Sequence, residues 1–104
     1  MGLSVVMIGD IVGKPGRRVV AQQVRRVRAD CEADLVIANA ENIAGGSGLT
    51  PNLADKLFDY GVDALTLGDH AFRQGEVIPR LERCDNIVRP ANLPETAAGL
   101  RFME

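Results

Sequence analysis

Apolar residues along this chain fall into two spacings that alternate from one end to the other. Leu3-Ser4-Val5-Val6-Met7-Ile8 is a near-continuous apolar, β-branched run with a glycine behind it. That is the pattern of a strand buried on both faces, and it predicts a central strand. After a loop over Gly9 to Gly16, residues 17–29 place Val20, Val24 and Val27 on one helical stripe and leave Arg18, Arg25 and Arg28 to water, which predicts an amphipathic helix. Asp34 to Asn39 repeats the strand pattern. Thr50-Pro51 then reads as an N-cap followed by proline at the first helical position, with Leu53, Leu57 and Phe58 as the buried stripe up to Tyr60 and Gly61 closing the helix. A third strand over Val62 to Leu67, a helix over Gly75 to Arg83 and a short fourth strand over Asn86 to Arg89 complete the series.

Strands that alternate with helices imply right-handed βαβ crossovers, so the predicted fold is α/β: a parallel sheet of about four strands with helices on its faces. The tail from Pro94 to Glu104 is weakly patterned, and its Leu100-Arg101-Phe102 reads as the start of a further element with no partner here. At 104 residues, with no repeat, linker or low-complexity tract, the chain is one domain.

Composition narrows the classes of partner. A chain that is 46% apolar and 25% charged is ordinary globular protein, and a net charge of −2 gives no basic footprint for duplex nucleic acid. Cys31 and Cys84 stand far apart with neither CxxC nor Cys/His spacing, which predicts free thiols rather than a zinc knuckle or redox pair. The first residues lack a positively charged region and their apolar run stops at Asp10, so no signal peptide or membrane span is expected there, which points to the cytoplasm.

The chemistry-bearing residues cluster where the predicted strands end. Gly9-Asp10, Glu41-Asn42, Gly68-Asp69-His70 and Arg89-Pro90-Ala91-Asn92 each follow an apolar run, and ligand sites of open α/β sheets lie at the carboxyl ends of strands. Asp10 directly after a buried strand is costly unless paired, hydrogen-bonded or bound to a cation; capping the loop is the plainer role. Glu41 can bridge two cations about 3.5–4 Å apart, although an isolated Glu-Asn is more often a turn. The glycines of Ile43 to Gly48 let backbone N–H groups approach an anion closely. His70 is the sole histidine; with an ordinary pKa of about 6.5 it can ligate metal or move a proton, or simply sit half-exposed in a loop. A carboxylate-rich set with one imidazole suits divalent cations.

Phosphate loops fit less well. Gly9 to Gly16 is not GxGxxG, because Ile11 holds the second glycine position, and it is not Walker A, because it is one residue short and Pro15 replaces the hydroxyl residue. Lys14, Arg17 and Arg18 near the helix start can attract a phosphate, although solvated surface charge is their commoner role.

Read in order, IGDIVGKPGR (8–17), NAENIAGGSGLT (39–50), LGDHAF (67–72) and VRPANLP (88–94) resemble the YmdB-like family of bacterial metallophosphoesterases. The resemblance runs through most of the chain but covers only the amino-terminal portion of the family's usual length. It implies that residues 1–104 are the amino-terminal part of a single metallophosphoesterase domain, the parallel-sheet portion of a calcineurin-like αββα sandwich. It further implies a site for two divalent metal ions, Fe or Mn, acting on phosphodiesters such as 2′,3′-cyclic nucleotides. Carried over by position, Asp10 ligates the first metal, Glu41 bridges the pair, Asn42 ligates or orients at the first metal and the substrate phosphate, Asp69 ligates the second metal, and His70 contacts the phosphate or donates a proton. The Arg89-Pro90-Ala91-Asn92 segment matches a family motif and is given a structural role near the site.

Two departures qualify the resemblance. The family's third motif normally reads Gly-Asn-His, and here Asp69 stands at the amide position, adding a charge that can retune metal preference. The family's remaining metal-binding histidines come from its carboxyl-terminal half, and after His70 this sequence has none. The leading expectation is thus a metal-dependent phosphoesterase that is incomplete as this chain, weak or inactive alone, and prone to self-association or to pairing with a missing carboxyl-terminal half. The alternatives are a catalytically silent metal- or phosphate-binding module and a bare α/β fragment.

Overall fold

In a computed structural model that describes residues 2–104, four strands form one parallel sheet and lie side by side in chain order. The elements are β1 (Val5–Ile8), α1 (Gly13–Asp30), β2 (Leu35–Asn39), α2 (Pro51–Tyr60), β3 (Ala64–Thr66), a 3-10 turn (Gly75–Val77) running into α3 (Ile78–Leu81), and β4 (Ile87–Val88). The α/β class with a parallel sheet is therefore as the sequence predicts. Register aligns Ile8 with Ala38, Ala38 with Leu65 and Leu65 with Ile87, and these residues share the core with Val20 and Val24 of α1, Ala54 and Leu57 of α2, and Leu81 of α3.

Strand order corrects the first expectation. β1 is an edge strand rather than a central one, with Val5 40% and Met7 73% exposed. Right-handed crossovers between strands laid down in sequential order carry every helix to the same face, so helices cover one side of the sheet and not both. The residues that register with Val5 and Met7, namely Leu35, Ile37 and Ala64, form the other side. The tail reaches part of it, where Met103 and Glu104 border a cavity with Leu35, Ile37 and Ala64.

Exposed apolar side chains on an edge strand template association with another chain. Val5→Lys with Met7→Lys is expected to lower any concentration-dependent association of this chain, read as sedimentation coefficient against concentration, with the melting temperature held. Association that persists in the double variant would place the contact elsewhere.

Helix boundaries shift for local reasons. α1 begins at Gly13, four residues before the predicted start, because Pro15 falls in the first turn, where its missing N–H has no intrahelical acceptor to lose. The helix predicted over Gly75 to Arg83 divides into the 3-10 turn and the short α3. A continuous α-helix from Gly75 would need an N–H on Pro79; instead the Ile78 N–H donates to the Gly75 carbonyl, closing a tighter turn. Thr50 and Gly61 cap α2 as expected: the Thr50 hydroxyl accepts from the Leu53 N–H at 3.2 Å, and Gly61 is left-handed with φ 119°. The tail does find a partner, since Leu100 bridges Val88 in parallel and its carbonyl accepts from the Arg89 N–H at 2.9 Å.

Arg28 and Asp63 tie the sheet together at its amino-terminal edge. The Arg28 guanidinium lies 2.6 Å from Asp63, whose carboxylate also accepts the Val36 N–H at 2.8 Å. Among the described residues no helix is long and apolar enough to cross a membrane, and Cys31 and Cys84 are both free.

Candidate metal centre

Each parallel strand releases its chain at the same edge of the sheet, so the segments after β1, β2 and β3 come together there. Asp10 lies two residues past β1, Glu41 and Asn42 two and three past β2, and Asp69 and His70 three and four past β3. Donor atoms of Glu41, Asp69 and His70 lie within 4.8 Å of one another. Asp10 stands outside that group but is joined to it by Asn42, whose Nδ2 donates to both Asp10 carboxylate oxygens at 3.0 Å.

Asn42 also defines the imidazole. A carboxylate only accepts, so the amide nitrogen must face Asp10 and the amide oxygen must face His70. His70 Nδ1 hydrogen-bonds to that oxygen, which requires the proton on Nδ1. Nε2 is then the nitrogen free for a metal or for proton exchange. Asp10, Asn42 and His70 thus form one chain of hydrogen bonds across three strand ends.

Glu41 is seated on backbone. A Cβ at position 68 would collide with the Glu41 carboxylate, so this carboxylate rests directly against the main chain of Gly68. The His70 N–H points to Glu41 Oε2 at 3.5 Å and His70 Nδ1 lies 3.8 Å from the same oxygen. The Glu41 side chain is 19% exposed and that of His70 28%, while Asp69 is exposed. Asn39, the last residue of β2, accepts the Glu41 N–H through its side chain at 3.3 Å. Gly68 and Asn39 were not singled out as site residues by sequence reasoning. The available signal was a glycine immediately after a strand, which marks a close approach of some other group.

The glycine loop after Glu41 does something other than hold an anion. The Gly45, Gly46, Ser47 and Gly48 N–H groups donate to the carbonyls of Ile43, Asn42, Ala44 and Glu41, and the Ala44 N–H donates to Gly48. Left-handed φ at Gly45, Gly46 and Gly48 closes the loop on itself. The expectation that these N–H groups cradle a phosphate is overturned, because their donors are already spent. The loop instead buries Ile43 and Leu49 and fixes Asn42, whose carbonyl accepts from Gly13 at 3.2 Å and Gly46 at 3.0 Å. Arg89 is 3% exposed and donates to the carbonyls of Pro90, Pro94 and Ala97, so it braces the tail.

Residues 6–103 match the family described as YmdB-like protein. The chain belongs to the YmdB-like family. It is 37% identical over 97 residues to a Bacillus subtilis (strain 168) protein named 2′,3′-cyclic-nucleotide 2′-phosphodiesterase, covering 93% of this chain and 37% of that one. Its fold is similar to the crystal structure of a hypothetical protein from Thermus thermophilus, with TM-score 0.85 and 41% identity over 92% of this chain and 37% of that one. A phosphatase from Mycoplasma pneumoniae is similar at TM-score 0.87 and 31% identity, over 94% of this chain and 36% of that one. The chain therefore spans little more than a third of the length of these relatives. The parallel sheet and its helices are the portion of the phosphatase fold that it shares.

Proposed function

We propose that residues 1–104 form the amino-terminal part of a metal-dependent phosphoesterase domain. The observation that carries this reading is the convergence of Glu41, Asp69 and His70 at one sheet edge, with the Glu41 carboxylate lodged against Gly68. Two carboxylates this close fit a divalent cation, Fe or Mn, with the imidazole beside it for proton transfer. Glu41 and Asp69 would hold it, with Asp10 and Asn42 available to a neighbouring cation. When bound, such ions offset charge developing on phosphoryl oxygens and make water a better nucleophile.

The chain's own residues do the rest. Asn42 aims Asp10 and His70 together, and because His70 Nδ1 is engaged by Asn42, Nε2 is the atom that passes a proton to a leaving oxygen. The substrate class is a small phosphodiester such as a cyclic nucleotide, in line with the name of the Bacillus relative.

Hydrolysis of bis-p-nitrophenyl phosphate with and without Mn²⁺ tests this reading. Weak, metal-dependent release of p-nitrophenolate is expected, with His70→Ala lowering the rate by about 10²-fold, at the lower end of the range for proton-transfer groups, and Asp10→Ala lowering it as well. Equal hydrolysis by wild type and Asp10→Ala would sink it. Metal-dependent stabilisation without turnover would instead favour a silent metal-binding module.

A further inference from the structure

A groove between α1 and α2 gathers cations that nothing in the metal centre uses. It encloses about 260 Å³ and is lined by Lys14, Arg17, Arg18 and Ala21 from α1 and by Lys56 and Tyr60 from α2. The chain has 14 Asp and Glu residues, yet none lines the groove.

Most other cations are accounted for. Arg26, Arg28, Arg80 and Arg101 face carboxylates, while Arg25, Arg83 and Arg89 donate to backbone carbonyls. Apart from Arg73, the Lys and Arg side chains with neither kind of partner among the described residues are Lys14, Arg17, Arg18 and Lys56, the four that line this groove. Solvated surface charges would scatter; these converge from two helices. Arg17 Nε is also buried with no acceptor, and a desolvated donor left unpaired is destabilising until something fills the place.

Like charges around one concavity repel one another and focus a positive potential that an anion relieves. Guanidinium forks match phosphate oxygens two at a time, ammonium groups add point charge, and a tyrosine offers a ring and a hydroxyl donor. The volume lies just below the range of about 300–1,000 Å³ usual for drug-sized ligands, so the ligand, or the part of it held, is small. We propose that the α1–α2 groove binds a diphosphate group, free or carried on a nucleotide, at a place separate from the metal centre.

Calorimetric titration of the chain with pyrophosphate and with ADP, in EDTA so that no cation carries the anion to Glu41 and Asp69, tests this. Saturable binding is expected, weakening as salt rises and at least tenfold weaker in Arg18→Glu with Lys56→Glu. The same titration of Asp10→Ala should match wild type. Tighter binding of ADP than of pyrophosphate assigns a nucleotide to the groove, and equal binding assigns the diphosphate alone. Should the charge reversals impair folding, Arg18→Gln and Lys56→Gln, each checked by thermal melting, should still weaken binding about threefold. Absence of saturation with both ligands, or unchanged affinity in folded variants, overturns the proposal.

Discussion

Gly68→Ala is expected to abolish stabilisation by Mn²⁺. The backbone at Gly68 has no left-handed φ that would exclude a side chain, so what a methyl group meets first there is the Glu41 carboxylate. Glu41 must swing away, and the cluster with Asp69 and His70 loses a donor. With Mn²⁺ at 100 times its dissociation constant, wild type should gain about 2.7 kcal/mol by linkage. For a domain of this size that is a rise of about 10–20 °C in melting temperature. Ca²⁺ should stabilise less than Mn²⁺, because Glu41 and Asp69 supply few of the six to eight oxygen ligands that Ca²⁺ takes. Glu41→Gln should reproduce the loss. Combining Gly68→Ala with Glu41→Ala should relieve the collision, restoring the metal-free melting temperature without restoring the metal response. Gly68→Ala melting with the wild-type Mn²⁺ dependence would show that Glu41 is not a ligand.

Arg89→Ala should cost about 2–4 kcal/mol and loosen the tail. The guanidinium is buried without a carboxylate and is held by carbonyls at 2.9 Å (Pro90), 3.2 Å (Pro94) and 3.3 Å (Ala97). A hydrogen bond to a charged group contributes about 1.5–3 kcal/mol, and here three turns of irregular chain depend on one fork. Water can reach some of the released carbonyls, which keeps the cost below the sum of three such bonds. Arg89→Lys should recover only a minor part, because an ammonium cannot span three separated acceptors. Urea unfolding gives the energy, and limited proteolysis should reveal new cleavage among residues 90–104. A loss under about 1 kcal/mol, on the scale of a surface change, with no new cleavage would remove Arg89 from this role.

The expected phosphoesterase chemistry and the Gly68 cradle stand or fall by different measurements. Turnover can fail while the metal response survives, in which case the donors assemble but do not catalyse. Loss of both would return Glu41-Asn42 to an ordinary loop and leave only the fold.

Strand-then-donor spacing was legible in the sequence at Asp10, Glu41 and Asp69-His70, because a parallel sheet sends every strand's carboxyl end to one edge whatever the details of packing. Caps at Thr50 and Gly61 were legible for a similar reason, since they satisfy backbone groups within a few residues. Pro79 could have predicted the break before α3, as the conflict is local. Other features depended on partners distant in the chain. The apolar run of β1 reads alike for a central strand and for an edge strand, since hydropathy records what a residue prefers and not which neighbour meets it. Glycine content allowed the loop at 45–48 its turns but did not say that its N–H groups would point inward. The seat of Glu41 on Gly68 joins residues from two strand ends, and the Asn42 link between Asp10 and His70 joins residues from three. Such contacts exist only once the sheet has set its register, because short-range propensity acts over a few residues and a missing Cβ matters only when another side chain arrives to use the space.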